Sequence, residues 1–187
     1  MGTIRTRYMS GEDERQYMIG EDYEIYEKRG APTGATRIHH HDFYEVIYVM
    51  EGEFSSLVDN RTYHLKKGDF LLIPRNVMHN YHYVEGKHER SRRIVLWISK
   101  GMLERLGDGE MDLEGCFPEG GDCAYHFPLH YEEILRNLLV KAVMTEVPDL
   151  NGAEGKRIFD KAQLMLFFLY LNALCAGDSF YFAKEES

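Results

Sequence analysis

Positive charge is in short supply in this chain: 22 Lys and Arg stand against 31 Asp and Glu, a formal charge of -9 over 187 residues. An acidic surface repels phosphate backbones, and no basic cluster is denser than Arg90, Arg92 and Arg93. The chain by itself therefore lacks the electrostatic footprint for gripping DNA or an anionic membrane. Cysteine is sparse as well. Cys116, Cys123 and Cys175 form an odd count without a disulfide-dense pattern, and the N-terminus lacks the apolar stretch of a signal peptide; both features predict a reducing cytoplasm. Long apolar runs are missing. The longest, Leu164 to Leu171, falls well short of the roughly 20 residues a spanning helix requires, which predicts a buried helix and no membrane partner. With 44% hydrophobic and 28% charged residues, the composition excludes a wholly disordered or collagen-like chain. The length suits one well-filled core.

What is present is a succession of short strands. Residues 1 to 20 are polar and aperiodic, which predicts an arm that orders only by packing on something else. After it, Tyr23 to Tyr26, Phe43 to Met50, Phe54 to Val58, Thr62 to Leu65, Phe70 to Ile73, His79 to Val84 and Arg93 to Ile98 are rich in aromatic and β-branched residues. Gly52, Asp59-Asn60, Lys66-Lys67-Gly68 and Pro74 punctuate them. Seven short strands with small turns predict a sandwich or small barrel over 21–100.

The period then changes. Glu104 to Asp122 holds seven acidic residues, one arginine and five glycines, which predicts a mobile, solvated link over 101–128. Leu135, Leu138, Leu139 and Ala142 fall at i, i+3, i+4, i+7 and predict a helix over 131–146, ended by Pro148. A second helix follows the Asn151-Gly152 turn, over 153–175. Its centre is apolar on every face, more than one barrel wall can cover. Leu164, Phe167, Phe168 and Leu171 are therefore expected to pair with another helix or subunit, within a helical region spanning 129–187.

The residues that carry chemistry lie at the start of the second predicted strand. On an extended backbone alternate side chains share a face, so His39, His41, Phe43, Glu45 and Ile47 point one way, and His40, Asp42, Tyr44 and Val46 the other. Two imidazoles and a carboxylate then look into one interior. His79 follows the strand that Pro74 ends. Parity from His79 puts Tyr81 and Tyr83 on its face, while either Val95 and Trp97 or Ile94 and Leu96 line the opposing wall. Aromatic rings with a few polar groups suit a small ligand such as a sugar, with Tyr81 and then Trp97 as the candidates, although strand aromatics more often pack a core. Cys116, Cys123, His126 and His130 also have ligand chemistry, but their spacing matches no zinc module.

The spacing His39-x-His41-x3-Glu45-x6-Gly52, then Gly68-x5-Pro74-x4-His79, resembles the two motifs of the cupin superfamily. That resemblance implies a jelly-roll barrel with a metal on His39, His41, Glu45 and His79. Three imidazoles and a carboxylate suit one divalent ion (Zn, Fe, Mn or Ni), leaving coordination positions open for a ligand. The same four groups equally form a metal-free hydrogen-bonded network. The pattern is departed from at Gly34, Asn76 and Tyr83, in turns more than in the ligand set. The run His41 to Gly52, with Lys67 to Pro74, Val77-Met78-His79 and the two helices that follow, is similar to the N-terminal sensor domain of AraC-family transcriptional regulators. What the family resemblance implies is a mainly β chain, a cupin barrel followed by two α-helices, that binds a small-molecule effector and forms a homodimer. DNA binding would fall to a C-terminal helix-turn-helix part absent from this chain, since only eight residues follow Ser179. The expectation is thus a sensor fragment of a longer regulator and not an enzyme. The rivals are a stand-alone metal-dependent cupin enzyme, a dioxygenase or sugar isomerase, with Tyr81 as proton donor, and a storage or scaffold cupin.

Overall fold

The computed structural model describes residues 4–10, 15–30, 36–82, 91–143 and 152–176. Alternation and turn chemistry set the strands: β1 Ile4–Ser10, β2 Tyr23–Arg29, β3 Tyr44–Glu51, β4 Glu53–Val58, β5 Arg61–Lys66, β6 Asp69–Ile73, β7 His79–His82, β8 Arg92–Ile98 and β9 Ala124–His126. The turn residues have the predicted backbone. Asp59 takes φ 54° between β4 and β5, and Gly52 takes φ 82° between β3 and β4. A Cβ on Gly52 would also lie 3.0 Å from the Cα of Ser91, so only glycine fits there. Asn76, which stands where the cupin motif has glycine, adopts φ 60°, the left-handed conformation that asparagine tolerates best among residues with a side chain. Gly34 and Tyr83, the other two departures, lie outside the described residues.

Two sheets result. One has six strands in the order β1-β2-β8-β3-β6-β9, and the other three in the order β5-β4-β7. The six-stranded sheet is apolar on both faces because its central strands are buried nearly throughout. Its inner face, with Tyr26, Phe43, Ile47, Leu71, Val95 and Trp97, meets Phe54, Val58, Tyr63 and Leu65 of the small sheet and fills the barrel. Its outer face, with Ile25, Val46, Phe70 and Leu96, is covered by helices α1 Lys100–Leu106, α2 Leu129–Val143 and α3 Gly152–Cys175. Between the two wall pairs proposed for β8, Val95 and Trp97 line the interior, and Ile94 and Leu96 face the helices.

The arm contains β1, which pairs in parallel with β2 and extends the sheet. Two readings of the sequence need correction. The expected mobile link is packed structure. It carries α1, capped by Ser99 whose Oγ accepts from the Met102 amide at 3.2 Å, and strand β9 on the edge of β6. Leu106, Leu113, Cys116 and Phe117 are buried along it. Composition misled because a few anchoring side chains suffice to hold a Gly-rich, acidic segment down. The second concerns Leu164, Phe167, Phe168 and Leu171, expected to pair with another helix or, as dimerisation residues, with a second subunit. All four are buried within the chain, because they fall at i, i+3, i+4, i+7 and form the single stripe that faces the sheet and α2. The opposite side of α3 exposes Ile158, Met165, Leu166 and Tyr170. By length and composition alone α3 could cross a membrane, but its inner face is packed in the core and carries buried Asp160 and Asn172. The end of the predicted first helix, 144–146, lies outside the described residues.

Candidate functional site

His39, His41, Glu45 and His79 converge at one end of the barrel. His39 and His79 face each other as a β-bridge, with backbone N–H to O distances of 3.0 and 2.9 Å, so two strand-borne imidazoles meet directly. His41 and Glu45, four residues apart where β3 begins, bring a third imidazole and a carboxylate onto the same face. One ring nitrogen from each of the three histidines lies within 4.8 Å of the others. Glu45 Oε2 stands 3.1 Å from His41 Nε2 and 3.5 Å from His79 Nε2. His41, Glu45 and His79 are buried and His39 is partly exposed, at the rim.

The hydrogen bonds around the cluster fix which nitrogen is which. Each Nδ1 faces a backbone carbonyl: His39 to Arg37 O at 3.0 Å, His41 to Phe43 O at 2.9 Å, His79 to Val77 O at 2.9 Å. A carbonyl only accepts, so each Nδ1 carries the proton, and in a neutral ring Nε2 then presents a bare lone pair. Those lone pairs are aimed at one another and at a carboxylate. His79 Nε2 is buried with no hydrogen-bond partner among the described residues, and the His41 Nε2 to Glu45 contact would set lone pair against lone pair. Either extra protons on the imidazoles or a cation among the four groups resolves it. Burial lowers the His39 pKa, with the neighbouring His79 acting the same way and the Arg37 carbonyl opposing, which keeps that ring neutral and ligand-ready. Burial works against a charged Glu45, yet the adjoining His41 and His79 imidazoles hold its carboxyl well below the usual range. An anionic carboxylate and three Nδ1-protonated imidazoles fit a divalent first-row ion.

The walls are aromatic. Phe43 stacks flat on His41, with centroids 3.8 Å apart at 5°. Trp97 lies 6.4 Å from the His41 ring, and its buried Nε1 has no acceptor among the described residues. Tyr81 lies 5.9 Å from His79 and 6.4 Å from His39. Both expected wall residues therefore flank the cluster; Tyr83 lies outside the described residues. His40 is not part of it.

Two participants had no signal in the sequence. Arg15 places its guanidinium 5.1 Å from the centre of the Trp97 ring, and Glu24, opposite Trp97 in the β2·β8 register, binds Arg15 Nη2 at 2.5 Å and accepts from the amides of Ile19 and Gly20. Segment 15–20 is thereby tied to the sheet, with Met18 against the interior core. Arg15 sits in an aperiodic stretch, and a buried glutamate inside a strand offers no pattern to recognise.

The cysteine-histidine set does not assemble. Cys116 belongs to the helix-side core and Cys123 to the barrel core, His126 Nδ1 is 2.7 Å from Asp69, and His130 lies on Tyr131. Burial pushes the Cys123 and Cys175 thiols up to about 11 and about 12, away from thiolate chemistry.

Comparison with known proteins adds the family. A family model described as AraC-like ligand binding domain matches residues 23–164. Quercetin 2,3-dioxygenase of Bacillus subtilis (strain 168) is 26% identical over 102 residues, 54% of this chain and 28% of its own length; the chain thus spans little more than a quarter of that relative. Among solved structures, apo ToxT K231A from Vibrio cholerae strain SCE256 aligns with a TM-score of 0.54 at 15% identity, covering 83% of this chain and 56% of that one. The Cnp3 cupin domain of Schizosaccharomyces pombe aligns with a TM-score of 0.38 at 13% identity, over 48% of this chain and 65% of its own.

Proposed function

The chain belongs to the AraC-like ligand-binding domain family, and from that premise we propose that it is the effector-sensing and dimerising part of an AraC-type transcriptional regulator acting in the cytoplasm. The observation that carries the reading is the enclosed cluster of His39, His41, Glu45 and His79, walled by Phe43, Tyr81 and Trp97, in a barrel whose outer face is committed to helices. Those four residues would hold one divalent ion, which when bound supplies a Lewis-acid contact to an effector oxygen. Phe43, Tyr81 and Trp97 supply the apolar side of the site, and Trp97 Nε1 offers a donor to the same small polar molecule, for which a sugar is a suitable class. The homodimer forms on the outer side of α3, through Ile158, Met165, Leu166 and Tyr170. With a charge of -9, contact with DNA belongs to a helix-turn-helix part outside this chain.

The test is a thermal-shift screen of sugars and small hydroxylated acids, with and without added Zn(II), Ni(II) or Mn(II). A true effector at 100 times its Kd adds about 2.7 kcal/mol, a rise of roughly 5–10 °C for a domain of this size. The shift should vanish in Trp97→Ala and His79→Ala. A library-wide absence of any shift would contradict the sensor reading.

A cupin enzyme is the second reading, favoured by the open donor set and by the stretch shared with the quercetin dioxygenase. Incubation of the metal-loaded protein with a flavonol and oxygen separates the two. The sensor account expects no consumption beyond the free metal, and turnover that depends on Glu45 would reverse the ranking.

A further inference from the structure

Residues 41 to 45 of the chain face two directions at once. His41 and Glu45 end the segment inside the candidate metal site, 3.1 Å apart, while Tyr44 between them points to the opposite face of the sheet, into the helix-side core. The segment is short and tied at several points. His41 Nδ1 donates to the Phe43 carbonyl, Phe43 stacks on His41, and Asn76 N donates to His41 O at 2.7 Å. A displacement of His41 or Glu45 is therefore carried by the backbone into Tyr44.

Tyr44 is in turn fastened to the loop that follows α1. Its hydroxyl donates to Glu114 Oε2, and its ring stacks on Phe117 with centroids 4.4 Å apart. The same loop is fastened to α3: Asn172 Nδ2 donates to Leu113 O at 3.0 Å, and Phe117 packs near Phe168. Gly115 lies so close to α3 that a Cβ there would come within 3.2 Å of Asn172 Oδ1. Beside the loop runs an open groove of about 740 Å³ lined by Tyr44, Arg75, Lys100, Asp112 and Glu114, so one flank has room to shift. Lys100 Nζ, 3.4 Å from the other oxygen of Glu114, Oε1, leaves the carboxylate a partner when the tyrosine moves.

We propose that occupancy of the His39, His41, Glu45 and His79 site is relayed to helix α3 through the Tyr44–Glu114 clasp, so that a ligand inside the barrel alters how α3 is seated. The inference rests on the sensor reading and specifies its regulation. A hydrogen bond is made or broken, and so has the two discrete arrangements that a coupling route requires and a uniformly greasy contact does not supply.

The experiment uses the whole chain and its Tyr44→Phe variant, which removes the hydroxyl and keeps the ring stack, with Glu114→Gln breaking the same bond from the other side. Zn(II) and Ni(II) binding is measured by calorimetry, and amide exchange is followed in 112–117 and 158–175. The relay predicts that metal changes exchange in both segments of the wild type by about fivefold or more. In both variants metal affinity should stay within about twofold while the α3 response disappears. An α3 response that survives in both variants overturns the proposal, as does wild-type metal binding that leaves α3 unchanged. A wild type that binds no metal would instead count against the metal reading, and a second arm then decides the relay. In metal-free protein Glu45→Gln perturbs the same site, and it must shift α3 exchange in the wild-type background but not beside Tyr44→Phe. Equal effects in both backgrounds, or none in either, overturn the clasp.

Discussion

Glu24 is buried in a strand beside a tryptophan, an expensive place for a carboxylate, and it is tolerated because Arg15 and the amides of Ile19 and Gly20 satisfy it. Burial alone would raise its pKa, but the side-chain bond to Arg15 and the two amide bonds outweigh that and lower it. A group whose carboxyl is more acidic folded than unfolded contributes stability above its unfolded pKa, about 4.3, and loses it as pH falls through the lower folded value. Segment 15–20 should therefore loosen as pH drops from about 5 toward 3. Trp97 is the single tryptophan and lies under Arg15, so its emission should move to the red in that window before global unfolding. Glu24→Gln should abolish the pH dependence, and an unchanged wild-type spectrum would refute the tie. At this scale the His39, His41, Glu45 and His79 set was legible because a period of two on a strand fixes facing, whereas Arg15 and Glu24 were not, since nothing in their neighbourhood repeats.

At the scale of elements, α3 has two sides with different duties. Phe168 is fully buried on the sheet side, and Phe168→Ala should cost about 3–5 kcal/mol in denaturant unfolding through transfer and cavity terms. Leu166, 45% exposed, is on the other side. Leu166→Glu should leave unfolding within about 0.5 kcal/mol yet dissociate the dimer in sedimentation; a wild-type monomer would remove that interface. The sequence showed that α3 carries more apolar surface than one wall can cover, but not which side the barrel takes. The strands from β2 to β8 were readable because aromatic and β-branched runs end at residues fit for positive φ, such as Gly52 and Asp59. β9 is three residues long, too short to show alternation, and β1 lacks any contrast with its surroundings. The α1 start did carry a signal, Ser99 as N-cap, which the acidic, Gly-rich stretch after it masked.

For the whole molecule, one six-stranded sheet with two apolar faces divides the labour. One face packs the barrel interior beside His41, Glu45 and His79, and the other seats the helices that present Met165 and Tyr170 outward. The candidate site and the helices thus share a single sheet, with β3 contributing Glu45 to one side and Tyr44 and Tyr48 to the other. Tyr48 repeats the pattern of Tyr44, its hydroxyl donating to buried Glu132 of α2. The central claim is that the inward side holds a divalent cation. The most direct test is elemental analysis of the purified chain after dialysis, followed by titration with Zn(II), Ni(II), Mn(II) and Fe(II). The account predicts about one first-row divalent ion per chain, with affinity reduced at least about 100-fold in His79→Ala, since even outer-shell partners of a metal are worth 10- to 100-fold. A folded wild type that carries no such ion and takes up none would contradict it.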